Sequence, residues 1–467
     1  MSAEETRQEQ TEKMEELKQT EDWSGQSNRF IGALSRKTGW RYGYGGWLAS
    51  SFVSGTDNDR DGKTQDVLDH SWEDDFRIFA TAQDARGKTK LYFRAGTLLV
   101  NSSAISSAVR KTDWTQSKLD MFYIERSYGN TTLQEKLTLG RQFVKVKNSL
   151  AFGQVADGLK FELISRQSSW ESFFLLEMAG TDNVDFLSPN AGRSKRLFYG
   201  MQYSLKYLPS QNLNFFSVWN RDRNPERPDP TGQRYQLDSV YLGGTFFGML
   251  MSRLEYEAQY IQELGRTYPN FTATNPATTG KVSINAHALD CDFKYYFNSD
   301  LKPVLHAGYT IGSGDGDAVG NTFSTKGGSG SLLGSADGGK DNRFISFGGK
   351  NLGYALAPTV TNLQVFKSGF SFKPFGASEN RLWNDLKVHP QFYIYKRDRT
   401  SGATSDPYIF RGAGASREVG KEMDLSIAWR LMSDVSYSLK IGRFFPSAAY
   451  TTHSHETFLR MKISVDL

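Results

Sequence analysis

The sequence predicts an all-β membrane protein: a transmembrane up-and-down antiparallel β-barrel of about eighteen strands, with a short polar helix at its N-terminus. Three observations lead there. From Trp40 to the last residue apolar and polar side chains alternate with period 2, which marks strands with two unlike faces. The segments that alternate are mostly about 10–15 residues long, against about 5–6 for strands of soluble proteins. Long and short connections also alternate along the chain, as they do when every tight turn falls on one rim of a barrel and every long loop on the other.

The N-terminal segment stands apart. Residues 1–22 carry eight acids and three bases, a net charge of −5, with only Met14 and Leu17 able to pack. This is a polar helix or spacer. The whole chain of 467 residues carries +5, so residues 23–467 carry +10. Residues 1–38 are read as a periplasmic helix and linker that could meet a periplasmic partner, and residues 39–467 as the barrel. No apolar run follows Met1, so a secretory signal is not visible in this chain.

The strands come in order. The first group is 40–53, 74–84, 89–100, 117–127 and 135–143, joined across tight turns at 85–88 and 128–134. Then come 157–168 and 171–180, and 195–208, where Leu197, Tyr199, Met201, Tyr203, Leu205 and Tyr207 alternate with polar residues. Strand 212–223 succeeds Pro209-Ser210-Gln211, and 234–247, 250–264, 281–297 and 302–312 continue the pattern, the last two around Asn298-Ser299-Asp300-Leu301. The largest external loop is 313–361; ten glycines fall within Gly312–Gly339, but no helix or Lys-Ser/Thr ending comes after them, so it is a loop over the pore mouth and not a phosphate cradle. Strands 362–374, 385–398, 419–431, 435–446 and 456–467 complete the set. An even number puts both termini on the short-turn side.

The alternative fold is a soluble β-sandwich serving adhesion or carbohydrate binding, but its strands would not carry Lys, Arg and Glu opposite Leu, Tyr, Phe and Trp so consistently. Mean hydropathy of −0.52 is then an average over two opposite faces. No stretch reaches the roughly 18–20 apolar residues of a membrane helix. A single cysteine excludes an internal disulfide and a multi-cysteine metal site. Cys291 falls on the lipid phase with Leu289 and Phe293. Trp40, Tyr42, Tyr207, Trp429 and Tyr437 suit interfacial aromatic girdles.

The polar phase faces the lumen. It receives Arg77, Lys90, Arg94, Lys160, Arg166, Arg196, Lys206, Arg253, Lys367, Arg430, Lys440, Arg460 and Lys462, against the acids Glu125, Glu162, Glu255, Glu257, Asp290, Asp292, Glu422 and Asp424. Thirteen bases against eight acids make a positive channel that concentrates anions and repels cations. The same residues would serve equally as Arg–Glu pairs that fill and stiffen the lumen.

Catalytic and metal patterns are poor. His453 and His455 share a loop with Ser454, but no G-x-S-x-G turn and no orienting carboxylate accompanies them. Asp57, Asp59 and Asp61 match the start of a calcium loop, yet its twelfth position is Leu68 in place of a bidentate Glu. They are a weak calcium candidate, and no cofactor, nucleic-acid partner or catalysed reaction is expected.

Several strings resemble the alginate-export family of outer-membrane barrels. They are Leu137-Thr138-Leu139-Gly140-Arg141-Gln142 with Asp157-Gly158-Leu159-Lys160, Phe347-Gly348-Gly349-Lys350-Asn351-Leu352-Gly353 with Thr361-Asn362-Leu363-Gln364, and Gly420-Lys421-Glu422-Met423-Asp424-Leu425 with Lys440-Ile441-Gly442-Arg443-Phe444-Phe445-Pro446 and Tyr450. The acidic Asn58-Asp59-Arg60-Asp61 also sits where members carry a similar loop. The resemblance implies an eighteen-stranded porin in the outer membrane of a Gram-negative bacterium, with a basic constriction that passes a polyanionic uronate. By motif Arg77, Arg141 and Lys440 match basic pore positions. The chain departs from that pattern at Phe143 and Asp120, where basic residues would stand, and at Met432-Ser433-Asp434, where a long periplasmic plug would be inserted. A general porin or one for another substrate is the alternative within transport.

Overall fold

The computed structural model describes residues 29–30, 39–56, 69–103, 110–130, 132–178, 195–223, 236–268, 280–316, 340–402, 404–406, 409, 415–451 and 453–467. The acidic segment 1–22, the calcium candidates Asp57, Asp59 and Asp61, and residues 317–339 of the glycine-rich loop lie outside them.

The strands are β1 (Arg29–Phe30), β2 (Arg41–Thr56), β3 (Asp69–Gln83), β4 (Thr89–Ser103), β5 (Arg110–Gly129), β6 (Leu133–Lys145) and β7 (Gly153–Ser165). Next come β8 (Ser168–Glu177), β9 (Arg196–Leu208), β10 (Gln211–Asp222), β11 (Leu237–Leu250), β12 (Leu254–Thr267) and β13 (Val282–Tyr296). The last are β14 (Val304–Gly312), β15 (Leu363–Ser371), β16 (Lys387–Arg397), β17 (Glu418–Arg430), β18 (Val435–Pro446) and β19 (Glu456–Asp466). Each strand from β2 onward pairs antiparallel with its chain neighbours, and β19 closes on β2 from Thr457–Thr56 to Asp466–Trp47. The result is a closed barrel of eighteen strands, the architecture that leaves no sheet edge in lipid. The short β1 adds two residues to β2, within a stretch that the sequence suggests is linker.

Alternation sorts the side chains as expected. Leu137 and Leu139 on β6, Trp72, Phe76 and Ile78 on β3, and Leu242 and Phe246 on β11 are exposed on the outer face. Cys291 also points outward, opposite Ala258 and Tyr309. One rim differs from expectation in length: the β15–β16 connection on the short-turn side spans 372–386 and holds the helix α1 (Arg381–Asn384), capped by the Asn380 side chain. Trp383 of α1 stacks on Trp429 at 4.9 Å, whose indole N–H donates to the Leu382 carbonyl. This anchors an aromatic pair at the short-turn rim.

The inner face is not uniformly polar. Phe173, Leu175, Phe198, Phe216, Val218, Ile261, Ile284, Ala286 and Ala288 form an apolar patch inside the wall. Two connections fold in from the long-loop rim to cover it, 146–152 and 340–362, which insert Leu150, Phe152, Phe344 and Phe347. Full burial of each such side chain contributes about 1.5–3 kcal/mol, so the patch holds both connections inside the lumen.

The lipid face yields a direct test. Leu242→Arg, in the middle of β11, should lower unfolding stability in phospholipid vesicles by about 2–4 kcal/mol. An unchanged denaturant midpoint would show that this face does not meet lipid.

Candidate functional site

The channel is narrowed by the two in-folded connections, which pair with each other. Phe347 N donates to Ala151 O at 3.0 Å and Gly153 N to Phe347 O at 3.2 Å, while the Ser346 hydroxyl donates to Leu150 O. Gly348 allows this approach: a Cβ there would collide with the Ser149 carbonyl oxygen. Within the barrel ladder, residues 143–145 and 153–155 have only each other as strand partners, because the β5–β6 ladder stops at Phe122–Arg141 and the β7–β8 ladder at Ala156–Glu177. The tip of this hairpin leaves the wall and crosses the lumen, where Asn148 donates to Asp290 on β13 at 2.8 Å and Lys147 meets Glu257 on β12 at 3.6 Å.

The second connection is gripped at two points. Lys350 pairs with Asp290 and, at 2.7 Å, with Asp292, which also takes Lys367 at 2.8 Å. Burial alone would push the Lys350 ammonium down, but the two aspartates outweigh it and hold its pKa above the ordinary lysine value. Further on, the fully buried Glu422 carboxylate accepts the backbone N–H groups of Tyr354, Ala355 and Leu356 at 2.6–3.0 Å and the Tyr395 hydroxyl at 3.0 Å. Asp424 accepts Tyr354 N as well, at 3.1 Å. Gly353, at φ +127°, is what brings the backbone this near: a Cβ would collide with the Tyr395 hydroxyl and lie 2.7 Å from Glu422. A buried carboxylate with this many charge-assisted donors is a fixed anchor.

Two unlike walls face each other across the remaining space. Around a cavity of roughly 280 Å³, Glu255, Glu257 and Asp292 stand among Lys294, Lys350 and Lys367, with Asn148 and Asn351. That wall is charge-balanced. The wall formed by β18, β19, β2, β3 and β4 is richer in cations. Lys440 and Arg460 lie directly opposite each other, with Lys462 opposite Ser438 in the same register. Lys440 stands 5.2 Å above the Tyr354 ring. Arg460 reaches Glu73 at 3.3 Å. Arg77 and Arg94 lie over the Trp47 ring at 5.5 and 5.6 Å and share Asp120 at 3.4 and 3.5 Å, Arg77 also holding Asp75 at 2.8 Å. Gly96 leaves room for Arg77, whose Cγ would be 2.7 Å from a Cβ there.

The remaining expected lumen residues divide. Arg196 faces inward in a buried pair with Asp222 at 2.9 Å and lies over the Phe347 ring. Lys206 and Arg430 fall at the short-turn ends of β9 and β17. Three expectations are corrected. Arg166 and Arg253 sit exposed in the tight turns 166–167 and 251–253, beyond the strand ends and so off the lumen face of the strands. Arg141 lies opposite the exposed Phe122 on the outer phase. Its guanidinium is clamped by both Asp157 oxygens at 2.8 Å and by Leu119 O at 2.8 Å, at the point where the hairpin departs. The alternation pattern misses Lys147, Asn148 and the acids Asp75, Asp222 and Glu73, while Asp120 and Lys350 enter only through the family strings. A usable signal existed for the connections: Leu150-Ala151-Phe152 and Phe344-Ile345-Ser346-Phe347 are too apolar for loops in water.

The family profile described as "Alginate export" matches residues 52–462. No curated protein matches the sequence. Among solved structures, the chain resembles Pseudomonas aeruginosa OpdL with a TM-score of 0.54 at 12% identity, covering 91% of this chain and 98% of that one. It resembles OccK11 (OpdR) of the same organism with a TM-score of 0.51 at 12% identity, covering 91% and 96%, and OpdO with 0.51 at 11%, covering 91% and 97%. At these identities the likeness concerns the fold.

Release of the anchor should open the channel. Glu422→Ala removes the acceptors for three backbone N–H groups, so single-channel recordings should show higher conductance and more open-channel noise than in the parent. Gly348→Val should do the same by forcing the two connections apart. Parental conductance in both variants would show that these segments do not set the pore.

Proposed function

The chain belongs to the alginate-export family, and on that premise we propose that this porin-like barrel passes anionic solutes across the outer membrane, a polyanionic saccharide such as a polyuronate among them. The observation that carries the reading is the direct opposition of Lys440 and Arg460 on β18 and β19. Like charges at opposed positions of a sheet repel; Glu73 offsets part of that at Arg460, and a ladder that adds Lys462 to this opposed pair supports a basic path for anions. Lys462 extends the ladder by one register step, and Tyr354 offers an aromatic face beneath Lys440 against which a sugar ring can slide. Asp120 takes up charge from Arg77 and Arg94, so selectivity rests chiefly on the β18–β19 ladder.

Passage would be passive. A carboxylated polymer exchanges one cation for the next along the ladder, and the charge-balanced wall opposite limits how tightly it is held, which keeps binding reversible. The same balanced wall supports a second reading, a porin for general polar solutes, in which the polymer has no advantage over small sugars.

Conductance block separates the two. Oligouronates added to a planar bilayer should reduce the open-channel current, neutral oligosaccharides of equal length should not, and Lys440→Glu/Arg460→Glu should abolish the difference. Equal block by charged and neutral sugars, or block that persists in the double variant, would overturn the anionic reading.

A further inference from the structure

A second site lies on the outside of the barrel. Where β9–β12 approach the long-loop rim, the outer face forms a shallow cavity of roughly 650 Å³ bounded by Tyr199, Trp219, Arg221, Asp238, Arg266 and Lys281. Register fixes its plan. Trp219 lies opposite Tyr199 on one side and Val240 on the other, which in turn faces Leu264. This is the last apolar row of the lipid face, and Tyr199, Trp219 and Leu264 are all exposed. One pleat further toward the long-loop rim the same face carries Arg221, Asp238 and Arg266, the last two directly opposed.

The charges here are unevenly used. Asp238 holds Lys281 at 3.2 Å and accepts the Asp222 N–H at 3.0 Å. Lys281 is thereby fixed at the edge of the cavity, over the Tyr268 ring at 5.6 Å. Among the described residues, no carboxylate lies within ion-pair distance of Arg221 or Arg266, although both are exposed. Two arginines and a lysine stand around one carboxylate, immediately above an aromatic row that marks the edge of the hydrocarbon. A soluble anion would use the cations and leave the apolar floor bare. A lipid with a phosphorylated head uses both: its chains lie along Trp219 and Leu264, and its phosphate takes the guanidinium forks.

We propose that this cavity binds the phosphorylated saccharide head of an outer-leaflet glycolipid, with Arg221 and Arg266 as the phosphate ligands and Trp219 against the first acyl chain. The site is separate from the lumen, and binding there ties the β9–β12 wall to the surrounding leaflet without touching the channel.

The test uses the whole protein in detergent with phosphorylated lipid A, dephosphorylated lipid A and phosphatidylglycerol as probes, read by native mass spectrometry after washing. Phosphorylated lipid A should be retained over both others. Arg221→Glu/Arg266→Glu should lower its retention about ten-fold or more, with heat-modifiable gel mobility and single-channel conductance unchanged. Arg443→Glu, an exposed outer-face arginine on β18, should retain the lipid like the parent. Equal retention of the phosphorylated and dephosphorylated forms, parental retention in the double variant, or equal retention of phosphatidylglycerol would each overturn the proposal.

Discussion

A bilayer offers no water to a backbone, so every strand N–H and C=O must find a partner within the wall. Closure of β19 on β2 meets that demand and fixes most of the remaining architecture. A closed ladder sends each side chain either to lipid or to the lumen. The lipid side is written in Leu, Phe, Tyr and Trp. The lumen side must keep its own charges in order in a confined, partly dehydrated space, and it does so by pairing: Arg77 with Asp75 and Asp120, Arg196 with Asp222, Arg460 with Glu73, Lys367 and Lys350 with Asp292. Lys440 directly opposite Arg460 sets two cations side by side within that network, and the transport reading rests there.

Closure alone would leave a wide hole. The pore acquires its shape because part of the inner wall is apolar and two connections fold in to cover it. Their own packing and backbone pairing hold them together, and the Glu422 carboxylate and the Lys350–Asp290–Asp292 group hold the longer one to the wall. The constriction is thus built from opposite kinds of force on its two sides: hydrophobic burial along β8–β13, and charge-assisted hydrogen bonds along β13 and β17. Two glycines, Gly348 and Gly353, permit the close approaches both anchorages need.

The strands were legible because alternation and turn spacing are local. All eighteen barrel strands fall where the pattern places them, β18 to the residue. Side-chain phase was legible too in the strand interiors, as at Lys367, Lys440 and Arg460, and failed at ends. Arg166 and Arg253 stand two and three residues inside the sequence strands 157–168 and 250–264, whereas β7 ends at Ser165 and β12 begins at Leu254, and Arg141 matches by motif against its own outward phase. The in-folded connections could not be placed from periodicity, since an apolar patch assembled from β8–β13 is what draws Leu150 and Phe347 inward. The acids were missed for a related reason. Asp120 lies beside a bulge in the β4–β5 register, and Asp222 sits at a strand end, so neither showed on the alternating pattern.

The central claim is that the lumen favours anions although many of its cations are paired. The reversal potential of the unmodified channel across a salt gradient in a planar bilayer tests this most directly. The account predicts a potential of the sign set by anion flow, shrinking as salt rises and screens the wall. A reversal potential of the opposite sign at low salt would contradict it.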